Sequence, residues 1–402
     1  MIETIILLLI LITLGSVLKK SEIICIIALL LTLLIPEYRT YTILIIAIGI
    51  LNIFSMFLMK NQIKGVDYSL IALITLATIY VVYTNDLAML LLIFILASIP
   101  TYILVMLSEN RVNIDVAIKY ITFMVFATVL FTAGAVIMSY ANIIDSNFLY
   151  ALGFIMLITG LCIEVGCAPM HEWVPDVYYT AHPIPTSIIA SIVKIVPFIV
   201  TYKILILLSN PIITKLVLFV AIISAISMFV GNIGALTSVS PARILAYSSI
   251  ANMGYILSTI VALTDTNWIP LALAGALLQL LANSLGKIGF FISLKNGASN
   301  YLLYPLAFSF IGMPPLIGFW GKLFIVLSLI NVNYMWLALI LVINSAISIP
   351  YYIRIARLVS KPVSPNYINA IVSITVALTF ITIVPPNWFI DLVREIIGGC
   401  FS

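Results

Sequence analysis

Long apolar runs dominate the chain. Cut at charges, Asn/Pro/Gly clusters and drops in hydropathy, they resolve into spans near residues 3–18, 21–36, 40–59, 66–84, 86–107, 116–140, 148–169, 184–208, 213–236, 243–263, 269–294, 302–330, 334–358 and 366–384. Each approaches the thickness of a bilayer's hydrocarbon core. An open sheet edge cannot be satisfied in lipid, and no alternating ten-residue pattern supports a barrel, so helices are the only reading. The pattern predicts an all-α polytopic membrane protein of about 14 transmembrane helices. The first run follows an acidic start, Met1-Ile2-Glu3, and lacks a cleavage-type ending, which reads as a retained helix rather than a signal peptide.

Composition agrees. Of 402 residues 64% are hydrophobic and 8% charged, too little polar surface to cover a water-soluble globule. The net charge of +4 is small and unevenly placed, so it reports orientation and not a nucleic-acid partner. With fourteen spans, Lys19, Lys20, Lys60, Lys64, Arg111, Arg243, Lys295, Arg354, Arg357 and Lys361 fall in the loops of one side, against Arg39, Lys203, Lys215 and Arg394 on the other. The positive-inside rule then puts both termini outside the cytoplasm. Cys25, Cys162, Cys167 and Cys400 show no metal-ligand spacing with the histidines, so neither disulfides nor zinc are expected.

Two spans carry breakers at depth. Span 7 runs into Gly166-Cys167-Ala168-Pro169 and span 12 contains Gly312-Met313-Pro314-Pro315. Both should interrupt the backbone ladder. Paired interruptions five spans apart point to repeats, and five being odd, the repeats enter the bilayer in opposite senses. The division is a three-helix segment 1–65, a first inverted repeat 66–208 (spans 4 to 8), a second 209–360 (spans 9 to 13), and span 14 with a tail, 361–402. Ordinary proline kinks are the alternative.

Five ionisable side chains lie within apolar spans: Lys119, Glu164, Lys194, Lys287 and Lys322. A charge at the centre of a bilayer costs roughly 2.5 to 3.5 kcal/mol on insertion scales and should face the bundle interior, a partner or water. Burial disfavours the charged form of amine and carboxyl alike, which suits groups that accept and release protons. The structural alternatives are snorkelling for Lys119, near one end of its span, ion pairs for the other lysines, and a protonated core carboxyl for Glu164. His171 and His182, with Glu172 and Asp176, read as connector residues between spans 7 and 8 rather than a metal site.

The stretch EVGCAPMHEWVPDVYYTAHPIPTSIIASIVK, Glu164 to Lys194, resembles the signature of the antiporter-like subunits of respiratory complex I, most closely subunit N. Asn85-Asp86-Leu-Ala-Met-Leu, Ala117-Ile-Lys119-Tyr, ARILAYSSIANMGYIL (Ala242 to Leu257), FIGMPPLIGFWGKLF (Phe310 to Phe324) and Tyr351-Tyr352-Ile353-Arg354 agree in order, so the resemblance covers roughly residues 66 to 360. It implies a proton-translocating channel of two inverted five-helix repeats, with Lys194 matching the lysine of helix 8, Lys322 that of helix 12 facing the outlet, and Lys287 similar to the helix 11 lysine of related subunits. Two positions depart from the pattern: the helix 5 glutamate falls on Ile95 and the helix 7 lysine on Glu164. Either the carboxylate has relocated to helix 7 and couples to Lys194, or the first half no longer conducts.

The expected function is that of a non-redox, proton-translocating subunit of a complex I-type NADH-quinone oxidoreductase, coupling redox energy to proton transport in a cytoplasmic (inner) membrane beside other membrane subunits. No iron–sulfur, haem or dinucleotide motif is present, so no cofactor is expected and electrons belong to partner subunits. The alternatives are a subunit of a sodium/proton antiporter or a membrane-bound hydrogenase, or a partly inactive scaffold. Lysines repel sodium, which counts against sodium exchange.

Overall fold

A computed structural model describes residues 2–17, 20–35, 39–59, 65–107, 114–361 and 365–401. The loop charges Lys19, Lys60, Lys64 and Arg111 lie outside the described residues. In chain order the helices are α1 (Ile2–Gly15), α2 (Ser21–Leu31), α3 (Arg39–Met56), α4 (Val66–Tyr80), α5 (Leu87–Met106), α6 (Ile114–Ile143), α7 (Asn147–Val165), α8 (Trp173–Thr180), α9 (Pro183–Ala190) and α10 (Ile195–Leu207). They continue with α11 (Ile213–Thr237), α12 (Pro241–Leu257), α13 (Ile269–Asn296), α14 (Asn300–Ile311), α15 (Ile317–Asn331), α16 (Met335–Ile347), α17 (Ile349–Val359), α18 (Asn366–Thr379) and α19 (Asn387–Phe401). Among the described residues the only strand-like pairing is an isolated bridge between Ala298 and Ser360.

Among the described residues eight helical stretches are long and apolar enough to cross a membrane: Leu87–Met106, Ile114–Ile143, Asn147–Val165, Pro183–Leu207, Ile213–Thr237, Pro241–Thr264, Thr266–Lys295 and Met335–Val359. Shorter apolar helices, among them Val66–Tyr80, Asn300–Ile311 and Ile317–Asn331, accompany them.

The chain breaks where the sequence placed breakers, and also where it did not. Helix α7 stops at Val165 and α14 at Ile311, each followed by a glycine in the left-handed region, Gly166 at φ 75° and Gly312 at φ 89°. Only glycine takes that conformation without a Cβ penalty. Span 8, read as one helix, is interrupted: α9 ends at Ala190, Ser191 adopts φ −109°, ψ −98°, and a 3-10 turn Ile192–Lys194 leads into α10.

Lipid is as apolar as a leucine side chain, so membrane helices associate through close packing and hydrogen bonds, and small residues allow both. Helices α6 and α7 pack closely because Gly134, Gly153 and Gly160 line their contact: a Cβ on Gly153 would come within 2.8 Å of the Gly134 carbonyl, and one on Gly160 within 2.8 Å of the Ala127 carbonyl. The interior belongs to other helices. The window of Pro183–Leu207 is 100% buried and that of Thr266–Lys295 89%, whereas that of Ile114–Ile143 is 33% buried and forms part of the periphery. Helix α13 packs against α3, α9, α12, α14, α15 and α18 and so runs through the middle of the protein. These buried helices carry Lys194 and Lys287, and α15, which packs against α13, carries Lys322.

Candidate functional site

A helix end leaves its last carbonyls without intrahelical donors. At the end of α7 the Cys167 amide donates to the Cys162 carbonyl at 2.7 Å and the Gly166 amide to the Ile163 carbonyl at 3.3 Å, which closes the turn and leaves the Val165 carbonyl outside it. The Lys194 ammonium donates to that carbonyl at 2.8 Å. The second break repeats the arrangement. The Met313 amide donates to Phe308 at 3.0 Å and the Gly312 amide to Ser309 at 3.1 Å, while the Lys322 ammonium donates to the Phe310 carbonyl at 2.8 Å, the Ile311 carbonyl at 3.0 Å and Ser345 Oγ at 2.8 Å. Each broken helix thus turns its negative dipole end toward a buried cation. Both lysines lie against tyrosine rings, Lys194 5.8 Å from the centroid of Tyr178 and Lys322 5.1 Å from that of Tyr255.

Lys287 lies between the two, on α13. Its ammonium donates to the Leu245 carbonyl and Ser248 Oγ on α12, both at 2.5 Å, and sits 5.4 Å from the Phe310 ring centroid. Lys194 and Lys287 are within electrostatic reach of one another, as are Lys194 and Glu164. Glu164 is buried near the end of α7. Ser98 of α5 donates to its Oε1 at 2.5 Å, and Oε2 has no hydrogen-bond partner among the described residues.

A buried polar chain joins Lys287 to Lys322. Ser248 and Asn252 both lie in hydrogen-bonding reach of the Tyr352 hydroxyl, Gln279 donates to Asn252 Oδ1 at 2.7 Å, and the Tyr351 and Tyr352 rings are 4.4 Å apart. Tyr351 then donates to Asn232 Oδ1 at 2.9 Å, and Asn232 to Tyr255 Oη and Asn344 Oδ1, both at 3.0 Å. Tyr255 faces Lys322. Toward the first half, Asn283, one turn from Lys287, donates to the Ala190 carbonyl at 3.2 Å, and Asn52 to Ser191 Oγ at 3.3 Å, so the interruption of span 8 is held by two asparagines.

The structure therefore brings Glu164, Lys194, Lys287 and Lys322 into one buried system. Lys119 stands apart. It pairs with Asp176 of α8, with side-chain exposures of 37% and 51%, at the rim of the protein. Sequence reasoning missed one buried cation: Lys203, grouped above with loop charges, is 2% exposed inside α10 and donates to the Val82 and Thr84 carbonyls at 2.8 Å and to Asn85 Oδ1 at 3.0 Å beyond the end of α4. Its place inside an apolar span was the available signal. The asparagines and tyrosines of the chain gave none, because such residues are common at helix surfaces and only packing makes them neighbours.

Over residues 84–348, more than half of its length, the sequence matches the family described as NADH:quinone oxidoreductase/Mrp antiporter, TM. The chain belongs to this family. Among the relatives of this antiporter family, it is 29% identical over 326 residues to NADH-quinone oxidoreductase subunit N of Wolbachia sp. subsp. Brugia malayi (strain TRS), covering 72% of this chain and 67% of that one. It is 33% identical over 316 residues to NADH-quinone oxidoreductase subunit N 2 of Hydrogenobaculum sp. (strain Y04AAS1), covering 70% and 66%. In fold it is similar to a chain of respiratory complex I from Thermus thermophilus with bound NADH, at a TM-score of 0.81, 14% identity and 99% coverage of both chains. It is also similar in fold to a chain of the Mrp complex from Dietzia sp. DQ12-45-1b, at a TM-score of 0.75, 14% identity and coverage of 91% and 83%. In this antiporter-family chain Ile95, at the position where the sequence pattern expects a carboxylate, is 36% exposed on the outer face of α5, whereas Ser98 on the same helix points inward to Glu164.

Proposed function

We infer that the chain is a proton-translocating, antiporter-like membrane subunit of a complex I-type quinone oxidoreductase, similar to subunit N. The observation that carries this reading is the matched pair of buried lysines, Lys194 and Lys322, each held by the terminal carbonyls of a broken helix and connected through Lys287 by buried polar side chains. Neutral carbonyls hold an ammonium without neutralising it, so the charge of each lysine stays responsive to its neighbours. A proton leaving Lys194 weakens its hydrogen bond to the Val165 carbonyl, no longer charge-assisted, and relieves the repulsion on Lys287; the same exchange at Lys287 is felt through the tyrosine–asparagine chain toward Lys322. Buried oxygens without protein donors among the described residues, Glu164 Oε2, Asn52 Oδ1, Asn283 Oδ1 and Ser284 Oγ, favour internal water along the route.

In this proposal the proton pathway comprises Glu164, Lys194, Lys287 and Lys322, with Lys119 near its mouth. The first half admits protons through Glu164, the carboxylate having moved inward from α5. The shorter apolar helices complete fourteen spans arranged as repeats 66–208 and 209–360 between the segments 1–65 and 361–402. The chain resides in a bacterial inner membrane with both termini outside the cytoplasm, and partner subunits carry the electrons that drive transport. The test is the proton-to-electron ratio of the purified, vesicle-reconstituted assembly. Lys194→Met or Lys322→Met should lower that ratio while quinone reduction continues; an unchanged ratio in both variants overturns the reading.

A further inference from the structure

The two breaks share a backbone turn and differ in the pair of residues that its closing hydrogen bond joins. In each, the closing hydrogen bond runs from the amide two residues past the helix to a carbonyl in its last turn, a motif in which the two end residues are frequently in side-chain contact. At the second break these residues are Phe308 and Met313, an apolar pair. At the first they are Cys162 and Cys167. Both cysteines are fully buried and free, and the backbone bond at 2.7 Å places their thiols on neighbouring residues of one turn, where they interact electrostatically. Val165, whose carbonyl receives the Lys194 ammonium, lies between them in sequence, and Lys194 is also in electrostatic reach of Cys167.

We propose that Cys162 and Cys167 are a redox-modification site: a hydroperoxide converts them to a disulfide that clamps the end of α7 beneath Lys194 and slows transport. One thiol attacks the peroxide, breaking the oxygen–oxygen bond, releasing water and leaving a sulfenic acid. The second thiol displaces the sulfenic hydroxyl as water and forms the sulfur–sulfur bond. Two thiols lose two electrons and two protons, and hydrogen peroxide accepts both to become two waters. The closing hydrogen bond of the turn already sets the two residues side by side, so the bond joins neighbours. The effect on transport rests on the proposed function, because the Val165 carbonyl must adjust whenever Lys194 gains or loses its proton and a cross-link across that turn restrains the adjustment.

The experiment treats membranes carrying the whole assembly with hydrogen peroxide, blocks free thiols under denaturing conditions, and reads the peptide spanning both cysteines by mass spectrometry. The expected product is lighter than the reduced peptide by two hydrogens, takes up no alkylating agent, and reverts with dithiothreitol. Proton transport should fall several-fold in parallel and recover with the thiol. Cys162→Ala and Cys167→Ala should each pump normally and lose the peroxide response. Independent alkylation of both thiols after peroxide overturns the proposal, as does a cross-link without loss of transport, or equal inhibition in the alanine variants. Failure of the proposed function would instead appear as absent transport in the untreated, reduced assembly.

Discussion

Lys194 and Val165 meet across the first helix break: an ammonium on the turn before α10 donates at 2.8 Å to the terminal carbonyl of α7. One side chain thus satisfies a helix end and places an amine deep inside the protein. Replacing Lys194 by Met leaves that carbonyl buried without a donor, at a cost of about 1–3 kcal/mol. The expected outcome is a lower melting temperature of the assembly together with a lower proton-to-electron ratio, read by thermal denaturation and vesicle acidification.

Lys203→Met separates structure from transport. Lys203 donates to three acceptors beyond the end of α4 but lies outside the chain of groups joining Glu164 to Lys322. The loss should again be about 1–3 kcal/mol of stability, while the proton-to-electron ratio per assembled complex stays at the unsubstituted value.

Glu164→Gln preserves an acceptor for the Ser98 hydroxyl and removes the acid. Pumping should fall while electron transfer is partly retained, and Ser98→Ala should give a smaller loss, because it leaves the carboxyl in place. Unchanged pumping stoichiometry in Glu164→Gln would take this residue off the route.

Gly166→Ala tests the turn itself. At φ 75° an L side chain costs about 1–2 kcal/mol, and the new Cβ would also collide with a methyl of Val174. Melting temperature and subunit incorporation should both decline. Gly398→Ala is the matched control: nothing lies within 4 Å of its added Cβ, and an alanine inside α19 should stabilise the helix by roughly 0.5–1 kcal/mol.

Gly153→Leu addresses the α6–α7 contact, where even a Cβ would press within 2.8 Å of the Gly134 carbonyl. Backbone cannot give way as a side chain can, so overpacking should cost about 1–3 kcal/mol or more. Reduced assembly in blue-native gels, with no change in proton stoichiometry of the complexes that form, is the expected result.

The breaks at Gly166 and Gly312 were legible because glycine and proline act locally, through backbone conformation and the missing amide. The lysines at 194, 287 and 322 were legible because an ionisable group in an apolar run is costly anywhere. What those lysines hold was not legible. The acceptors at Val165 and Ile311 are backbone carbonyls, identical in every residue, and only the fold decides which of them lacks a donor. The interruption at Ser191 escaped notice for a related reason: Asn52 and Asn283, from distant spans, hold it from outside, and no breaker stands at Ser191 itself. Lys203 was counted with the loops because it lies near the edge of its apolar run, although its own helix buries it.

Helix α13 touches the first lysine site through Asn283 and, with Gly321 set against Gln279, the second one. A shaft gripped at both ends cannot slide without moving both grips. A displacement of α13 would therefore reach both lysine sites together, and under the proposed function that would synchronise them in place of two independent gates.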